Sequence, residues 1–150
     1  MASESAKTTF DGATPVFLVS DVASTMRWYS IHLGFNVRGV PESPPHNFGF
    51  LTKDNVTIFL QQLDGYRKPD VYDKREGGVW SVYLQVQGVR ELYDVLSQVP
   101  DVTLLEPLCY QPYGQTEFVI RDPNGYALVF AQRDKRPCRG HEVKSVVAIA

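Results

Sequence analysis

Hydrophobic and polar positions follow the same order in the two halves of the chain. When the sequence is aligned with itself, the stretch VFLVSDV (16–22) matches YLQVQGV (83–89), with apolar residues paired at positions 17, 19 and 22. Further along each half, VTIFLQQ (56–62) matches YALVFAQ (126–132). Short apolar runs of this kind, each followed by a polar stretch, predict strands that begin and end each half.

A helix is predicted directly after each opening strand. In the first half, four apolar residues recur at helical spacing: Val22, Met26, Tyr29 and Leu33. Asp21 precedes this stripe as an N-cap, and Gly34 follows it where a helix should end. A shorter stripe follows the opening strand of the second half: Val89, Leu92, Tyr93 and Leu96.

Each half also has room for two further strands between its helix and its last strand. These cover residues 36–39 and 47–52 in the first half, and residues 103–108 and 115–121 in the second. The pattern therefore predicts an α+β fold of two tandem β-α-β-β-β modules. The predicted boundaries are a flexible N-terminus (1–13), a single domain (14–132) made of two modules (14–63 and 79–132) with a polar linker (64–78), and a basic C-terminal tail (133–150).

Composition describes an ordinary globular protein. The chain has 150 residues, 43% of them hydrophobic, and a net charge of −2, which gives no electrostatic basis for binding nucleic acid or an anionic membrane. No run approaches the roughly 20 apolar residues of a membrane helix, and the N-terminus lacks a signal-peptide core. Cys109 and Cys138 are too few for a disulfide framework. A cytoplasmic protein with reduced thiols is expected.

Several motifs together resemble the vicinal oxygen chelate superfamily of glyoxalases, extradiol dioxygenases and antibiotic-resistance proteins. Over about residues 14–132, these motifs are SDV at the start of the first helix, HLGF at its end and DPNGY near the last strand. The sequence is most similar to the bleomycin resistance proteins, in the stretches TPVFLVSDVA, KDNVTIF, VRELYDVLS and EPLCYQPYGQTEFVIRDPNG. The resemblance implies the glyoxalase/bleomycin-resistance fold, whose two modules form a curled sheet around a concave cavity.

The resemblance also locates the positions at which enzymes of the superfamily hold a divalent metal. The first-strand ligand, usually His or Gln, corresponds to Thr14 and Ser81, and the last-strand ligand, usually Glu, corresponds to Phe59 and Val129. Phenylalanine and valine cannot bind a metal, and neutral hydroxyls are poor ligands beside the His and carboxylates that such sites require. We therefore expect no metal and no cofactor.

The hairpin at the DPNG turn leaves two registers open. A one-residue bulge places Glu117 and Val119 on the same face as Val129, whereas a two-residue register places Phe118 and Ile120 there. Glu117 accordingly has three interpretations: it holds a cationic ligand group, it acts as a general base, or it faces solvent. The family resemblance favours the register that brings Glu117 to the cavity.

Alternation along the strands adds polar and aromatic neighbours to the vacated metal positions. Gln61 shares a face with Phe59, and Tyr83 and Gln85 share a face with Ser81. Phe48 and Tyr113 match positions at which the drug-binding relatives place aromatic rings against the ligand. The predicted ligand-binding residues are Phe48, Phe59, Gln61, Tyr83, Gln85, Tyr113 and Glu117.

A wall of aromatic rings, amides and one carboxylate suits a planar, mostly apolar ligand with a few polar anchors. The first hypothesis is therefore a metal-free protein that sequesters an aromatic or amphiphilic small molecule, as antibiotic-resistance proteins do. The resemblance implies a homodimer with ligand clefts at its interface and an N-terminal arm exchanged at Pro15. The weak net charge of −2 favours a ligand other than the cationic drug bleomycin.

Two other hypotheses remain. The chain could be a lyase, isomerase or dioxygenase of the superfamily, with Glu117 as the acid or base. It could also be a structural or partner-binding dimer whose cavity is filled by its own side chains, because Phe59 and Tyr83 suit core packing as well as ligand contact.

Overall fold

The computed structural model describes residues 5–134, and within them the elements follow the predicted order. The first module contains β1 (Val16–Val19), α1 (Val22–Leu33), β2 (Asn36–Val40), β3 (Phe48–Lys53) and β4 (Val56–Gln62). The second contains β5 (Val82–Gln85), α2 (Val89–Leu96), β6 (Thr103–Tyr110), β7 (Gln115–Arg121) and β8 (Ala127–Arg133). Two β-α-β-β-β modules are confirmed. Predictions for residues 1–4 and 135–150, including Cys138, lie outside the described residues.

Each module forms its own four-stranded mixed sheet. The strand orders are β1-β4-β3-β2 and β5-β8-β7-β6, so the first and last strands of each module pair in parallel. Val16 lies opposite Phe59, and Tyr83 lies opposite Val129. The sequence repeat therefore relates strand pairs that have the same register. The two sheets stay separate and do not close into one barrel.

Helix α1 begins and ends where the sequence predicts. The Asp21 side chain accepts a hydrogen bond from the Ser24 N–H (3.2 Å), which satisfies one of the free donors of the first turn. Gly34 ends the helix with φ +72°, in the left-handed region where glycine is favoured. The helix has 12 residues. Within residues 5–134, no helix combines the length and apolar character needed to span a bilayer.

The last strand of each module holds the helix of the same module through a glutamine. Gln62 Oε1 accepts a hydrogen bond from the Val22 N–H (2.8 Å). Gln132 Oε1 accepts from the N–H groups of Gly88 and Val89 (2.9 and 3.0 Å). The two glutamines occupy corresponding positions in the matched strands. The equivalent glutamine therefore has the same structural role in both modules.

One face of each sheet packs into a hydrophobic core that both modules share. The first module contributes Tyr29 and Leu60, and the second contributes Phe118 and Leu128, each completely buried. The Phe17 and Tyr126 rings stack across the boundary with their centroids 4.1 Å apart. The core therefore leaves the opposite face of each sheet for other contacts.

The DPNG turn fastens the second module to the first. Asp122, 3% exposed, accepts a hydrogen bond from the Tyr29 hydroxyl of α1 (2.7 Å) and from the backbone N–H groups of Asn124 and Tyr126 (both 2.9 Å). Asn124 Nδ2 also donates to the Thr25 hydroxyl of α1 (2.9 Å). This turn therefore closes a hairpin and supplies polar contacts across the module interface.

Burial raises the pKa of Asp122, and the hydrogen bonds from Tyr29 and the backbone oppose that shift. Because the net shift is upward, protonation of Asp122 favours the folded state. That contribution is complete below the pKa of the unfolded chain and is lost as the pH rises through the folded pKa. The Tyr29 hydroxyl is the side-chain donor that keeps this buried carboxylate tolerable at neutral pH.

The linker (64–78) lies against the second sheet. A 3-10 turn (Tyr72–Lys74) brings the Tyr72 ring, 8% exposed, into contact with a small cluster formed by Val119, Ala127 and Val129. Asp70 forms an ion pair with Arg121 of β7 (3.3 Å). A segment with no apolar periodicity is thus held by one buried aromatic side chain and by polar contacts at its surface.

We predict that Tyr29→Phe lowers the free energy of unfolding by about 1–3 kcal/mol at neutral pH, because it leaves a buried carboxylate without its side-chain donor. Chemical denaturation measures the loss. The same variant should lose less stability at acidic pH, where Asp122 is protonated. Tyr93→Phe is the matched control, since the Tyr93 ring packs on Phe118 (5.3 Å). Equal losses for the two variants, or a loss independent of pH, would contradict the assigned role of Asp122.

Candidate ligand-binding site

The predicted site residues lie on the sheet faces turned away from the shared core, which we call the site faces. On the first sheet, the site face carries an aromatic cluster of Phe48, Phe50 and Phe59. The ring centroids are 5.1 to 5.3 Å apart, and all three side chains are half-buried. The guanidinium of Arg38 lies 4.2 Å from the centre of the Phe50 ring. The cluster is an apolar platform with one cation at its edge.

Phe48 and Phe59 were predicted for this site, and Phe50 was missed. Phe50 lies two residues after Phe48 on β3 and directly opposite Phe59 on β4. The period of two along a strand was therefore a sufficient signal for it. Gln61 lies opposite Phe48 and is exposed, so it stands at the open end of the platform.

On the second sheet, the strand register resolves the two hairpin alternatives. Val119 lies opposite Val129, and Glu117 lies opposite Ala131. The register that brings Glu117 and Val119 to the same face as Val129 is confirmed, and Phe118 belongs to the shared core. Tyr83 lies opposite Val129 from the other side. Three neighbouring strands therefore present this face together.

Glu117 is the polar centre of the second site face. It is 4% exposed and accepts a hydrogen bond from the Tyr83 hydroxyl (2.7 Å) on Oε2 and another from the Tyr113 hydroxyl on Oε1. Burial raises the pKa of Glu117, and these two hydrogen bonds oppose the shift. The carboxylate is thus held by donors from β5 and from the turn before β7.

Both tyrosines are fixed as donors by the same contact. Burial, and then the hydrogen bond to Glu117, raise the pKa of Tyr83 and of Tyr113. Each carboxylate oxygen can accept a further hydrogen bond beyond the one it has. Tyr83 remains 37% exposed, so the site is open on that side. The arrangement can hold a hydrogen-bond donor or a cation next to an aromatic wall.

Gln85 completes the polar edge of this face. Its Nε2 donates to Gln115 Oε1 (2.8 Å) and to the Ala131 carbonyl (3.2 Å). Gln115 is 8% exposed and was not predicted as a site residue. These two hydrogen bonds hold the Gln85 amide in place. Because Gln85 lies on the same strand and face as Tyr83, the amide lies near the hydroxyls of Tyr83 and Tyr113.

The four positions that correspond to metal ligands in the superfamily do not fit a metal. Thr14 is exposed and precedes β1, and the Ser81 hydroxyl accepts a hydrogen bond from the Ala127 N–H (3.0 Å). Phe59 belongs to the aromatic platform, and Val129 is completely buried. Among residues 5–134, no three His, Cys, Asp or Glu side chains converge as metal ligands would.

The linker covers part of the second site face. Tyr72 lies over Val119 and Val129, and the Trp80 ring lies 5.5 Å from the Tyr83 ring. Neither Tyr72 nor Trp80 was predicted as a site residue. Tyr72 is one of two aromatic residues in the polar linker, with Tyr66, and an aromatic residue in such a stretch does not indicate which surface its ring contacts.

The predicted site residues fall into two groups. Phe48, Phe59 and Gln61 lie together on the first sheet, whereas Tyr83, Gln85, Tyr113 and Glu117 lie together on the second. The first group is mostly apolar and the second is mostly polar. The chain therefore presents an aromatic surface and a hydrogen-bonding surface on separate sheets.

Known structures share this architecture. TioX from Micromonospora sp. ML1 is 17% identical, with a TM-score of 0.63 over 81% of this chain and 99% of that one. A bleomycin resistance determinant encoded on the transposon Tn5 is 20% identical, with a TM-score of 0.62 over 85% and 100%. A bleomycin-binding protein from Streptomyces verticillus, complexed with copper(II)-bleomycin, is 17% identical, with a TM-score of 0.57 over 83% and 97%. Similarity at this level establishes the fold alone.

The sequence also matches a family model. No curated protein matches the chain. The model of the glyoxalase/bleomycin resistance protein/dioxygenase superfamily, however, matches residues 13–130, which include both modules and the DPNG turn. With the doubled β-α-β-β-β fold, this match over most of the chain shows that the protein belongs to the glyoxalase/bleomycin resistance protein/dioxygenase superfamily.

Proposed function

We propose that this protein is a metal-free small-molecule-binding protein that sequesters an aromatic or amphiphilic ligand, an antibiotic among the candidates. One observation carries the proposal: phenylalanine and valine replace the last-strand metal ligands, and Phe59 at one of these positions is part of a half-buried platform of three rings. A related fold from Streptomyces verticillus binds copper(II)-bleomycin, which supports the choice of ligand class.

The two site faces suit different parts of such a ligand. The platform of Phe48, Phe50 and Phe59 takes a planar ring system, since each aromatic contact adds about 0.5–1.5 kcal/mol beyond the area it buries. The Glu117 carboxylate, held by Tyr83 and Tyr113, takes a donor or a cationic group. An amphiphilic ligand matches this combination better than a purely apolar one.

Binding of planar ligands should depend on the platform. We predict that Phe50→Leu and Phe59→Leu each weaken the binding of a planar aromatic antibiotic by about three- to tenfold, the loss expected for one aromatic contact. Calorimetric titration with copper(II)-bleomycin and a panel of planar aromatic cations measures this change. Ile31→Ala, on the exposed surface of α1, is the control and should bind as the parent does. No binding across the panel would instead favour a site filled by the protein's own side chains.

We further propose that the protein is a homodimer that exchanges its N-terminal arm at Pro15. The arm is exposed, with Phe10 96% accessible, and it leads directly to β1 at the edge of the first sheet, where Val16 is 49% accessible. Sedimentation should give twice the mass of one chain. Phe10→Ser should weaken the dimer if the arm packs on the partner, and a monomeric parent protein would contradict the proposal.

The alternative function is that of a superfamily enzyme, and the burial of Glu117 favours it as an acid or base. The variant Glu117→Gln distinguishes a binding protein from an enzyme. Because burial raises the pKa of Glu117, a neutral glutamine should leave the free energy of unfolding at pH 7 unchanged or higher. A binding protein should lose about tenfold or more of its affinity for a cationic ligand and retain neutral planar ligands.

An enzyme should instead lose turnover with that variant. Elemental analysis of protein purified without chelator adds a second criterion. Substoichiometric Zn, Mn, Fe and Ni are expected, because Thr14, Ser81, Phe59 and Val129 do not form a ligand set. A stoichiometric metal would overturn the metal-free proposal.

A further inference from the structure

The two last-strand positions that lack a metal ligand differ in what covers them. Phe59 is half-buried in the aromatic platform, whereas Val129, its counterpart in the second module, is completely buried. Tyr72 of the linker packs on Val119, Ala127 and Val129, in a cluster separate from the shared core. A ring of the chain itself therefore occupies the apolar part of the second site face.

The segment that carries this ring has few attachments to the sheet. We call residues 70–79, which include the end of the linker, the strap. Within the described part of the chain, the backbone-to-backbone hydrogen bonds of the strap join only its own residues, such as the Val79 N–H and the Tyr72 carbonyl (3.1 Å). The strap reaches the sheet through the Tyr72 ring and through the ion pair of the exposed Asp70 with Arg121 (3.3 Å), a kind of contact that contributes little. One buried ring is therefore its principal anchor.

The hydroxyl group of Tyr72 weakens this anchor. It is buried and has no hydrogen-bond partner among the described residues. Burial of the ring stabilises the strap on the sheet, and burial of an unpaired hydroxyl opposes that effect. A planar ring without this hydroxyl makes the same apolar contacts without the opposing cost. For equal apolar contact, a foreign ring is therefore preferred on this surface over the ring of Tyr72.

The surface beneath the ring continues to the polar centre of the site. Glu117 lies two positions before Val119 on β7, so it is on the same face at a distance of about 7 Å along the strand. Burial, followed by the charge of Glu106, raises the pKa of Tyr72 to about 12, which indicates a negative potential around the ring. The surface therefore suits a planar aromatic ring that carries a cationic group on a short chain.

We propose that the strap is a displaceable cover, and that the place of the Tyr72 ring on the second sheet is a binding site for a planar aromatic cation. In the free protein, the Tyr72 ring occupies this place. In the complex, the ligand ring lies on Val119 and Val129, its cationic group pairs with Glu117, and the strap is released. The inference rests on the proposed function, because it assigns a second place to a ring of the sequestered ligand, on the sheet that lacks the aromatic platform.

Two substitutions of Tyr72 test the cover, because they should change affinity in opposite directions. Calorimetric titration of the full chain with 2-phenylethylammonium gives the dissociation constants. Tyr72→Phe keeps the ring and removes the unpaired hydroxyl, so the strap closes more tightly and affinity should fall about threefold or more. Tyr72→Ala removes the cover, so affinity should rise about tenfold. A fixed binding wall would instead give weaker binding for Tyr72→Ala and unchanged binding for Tyr72→Phe, and that result would overturn the inference.

Nuclear magnetic resonance of the methyl-labelled full chain locates the bound ring. The ring protons of 2-phenylethylammonium should give intermolecular nuclear Overhauser effects to the methyl groups of Val119 and Val129, which are buried in the free protein. The methyl groups of Ile31, on the exposed surface of α1, are the control and should give none. Butylammonium, which has the cation and lacks the ring, should leave the signals of Val119 and Val129 in place.

The outcomes separate this inference from the proposed function. Absence of effects at Val119 and Val129 in the parent protein overturns the inference, even where Tyr72→Ala shows them, because a large-to-small substitution opens space by itself. Binding that depends on Phe50 and Phe59 and leaves the Val129 signals in place overturns the cover and retains the aromatic platform. Effects at Val129 without any dependence on Phe50 and Phe59 support the cover and contradict the platform.

Discussion

The buried carboxylate of Asp122 is the constraint on which the arrangement of the two modules depends. A carboxylate with 3% exposure is tolerated only if its oxygens are paired, and its partners come from both modules. Tyr29 provides the donor from the first module, and the backbone of the turn provides the others. Hydrogen bonds thus fix the DPNG turn on α1, and the rings of Phe17 and Tyr126 stack across the same module boundary.

Because Asp122 belongs to the DPNG turn, the turn and the strand that follows it have different structural roles. The turn is needed for the module interface whether or not the protein has a metal. The site-face positions of β8 are free of that role, because Val129 points away from the shared core and contacts Tyr72. A chain can therefore retain the turn of a metalloenzyme fold and place an apolar side chain at the ligand position. The same holds for Phe59 in the first module.

Much of the fold was predictable because local signals and the internal repeat agree. The cap at Asp21, the stop at Gly34 and the matched registers of Phe59 and Val129 all depend on short-range or repeated patterns. The hairpin register could not be decided from sequence, since a single bulge changes which residues face the site. Tyr72 and Trp80 could not be assigned either, because the contacts of an aperiodic segment depend on the finished surface.

The glutamines at the ends of β4 and β8 have a consequence for the order of folding. Gln62 pairs with the N-terminus of a helix that begins 40 residues earlier, and Gln132 does the same for α2. During synthesis, each helix leaves the ribosome before the strand that completes its first turn and its sheet. Each module should therefore become cooperative only when its last strand emerges, and the first module completes its core only when the second supplies its share of the common cluster.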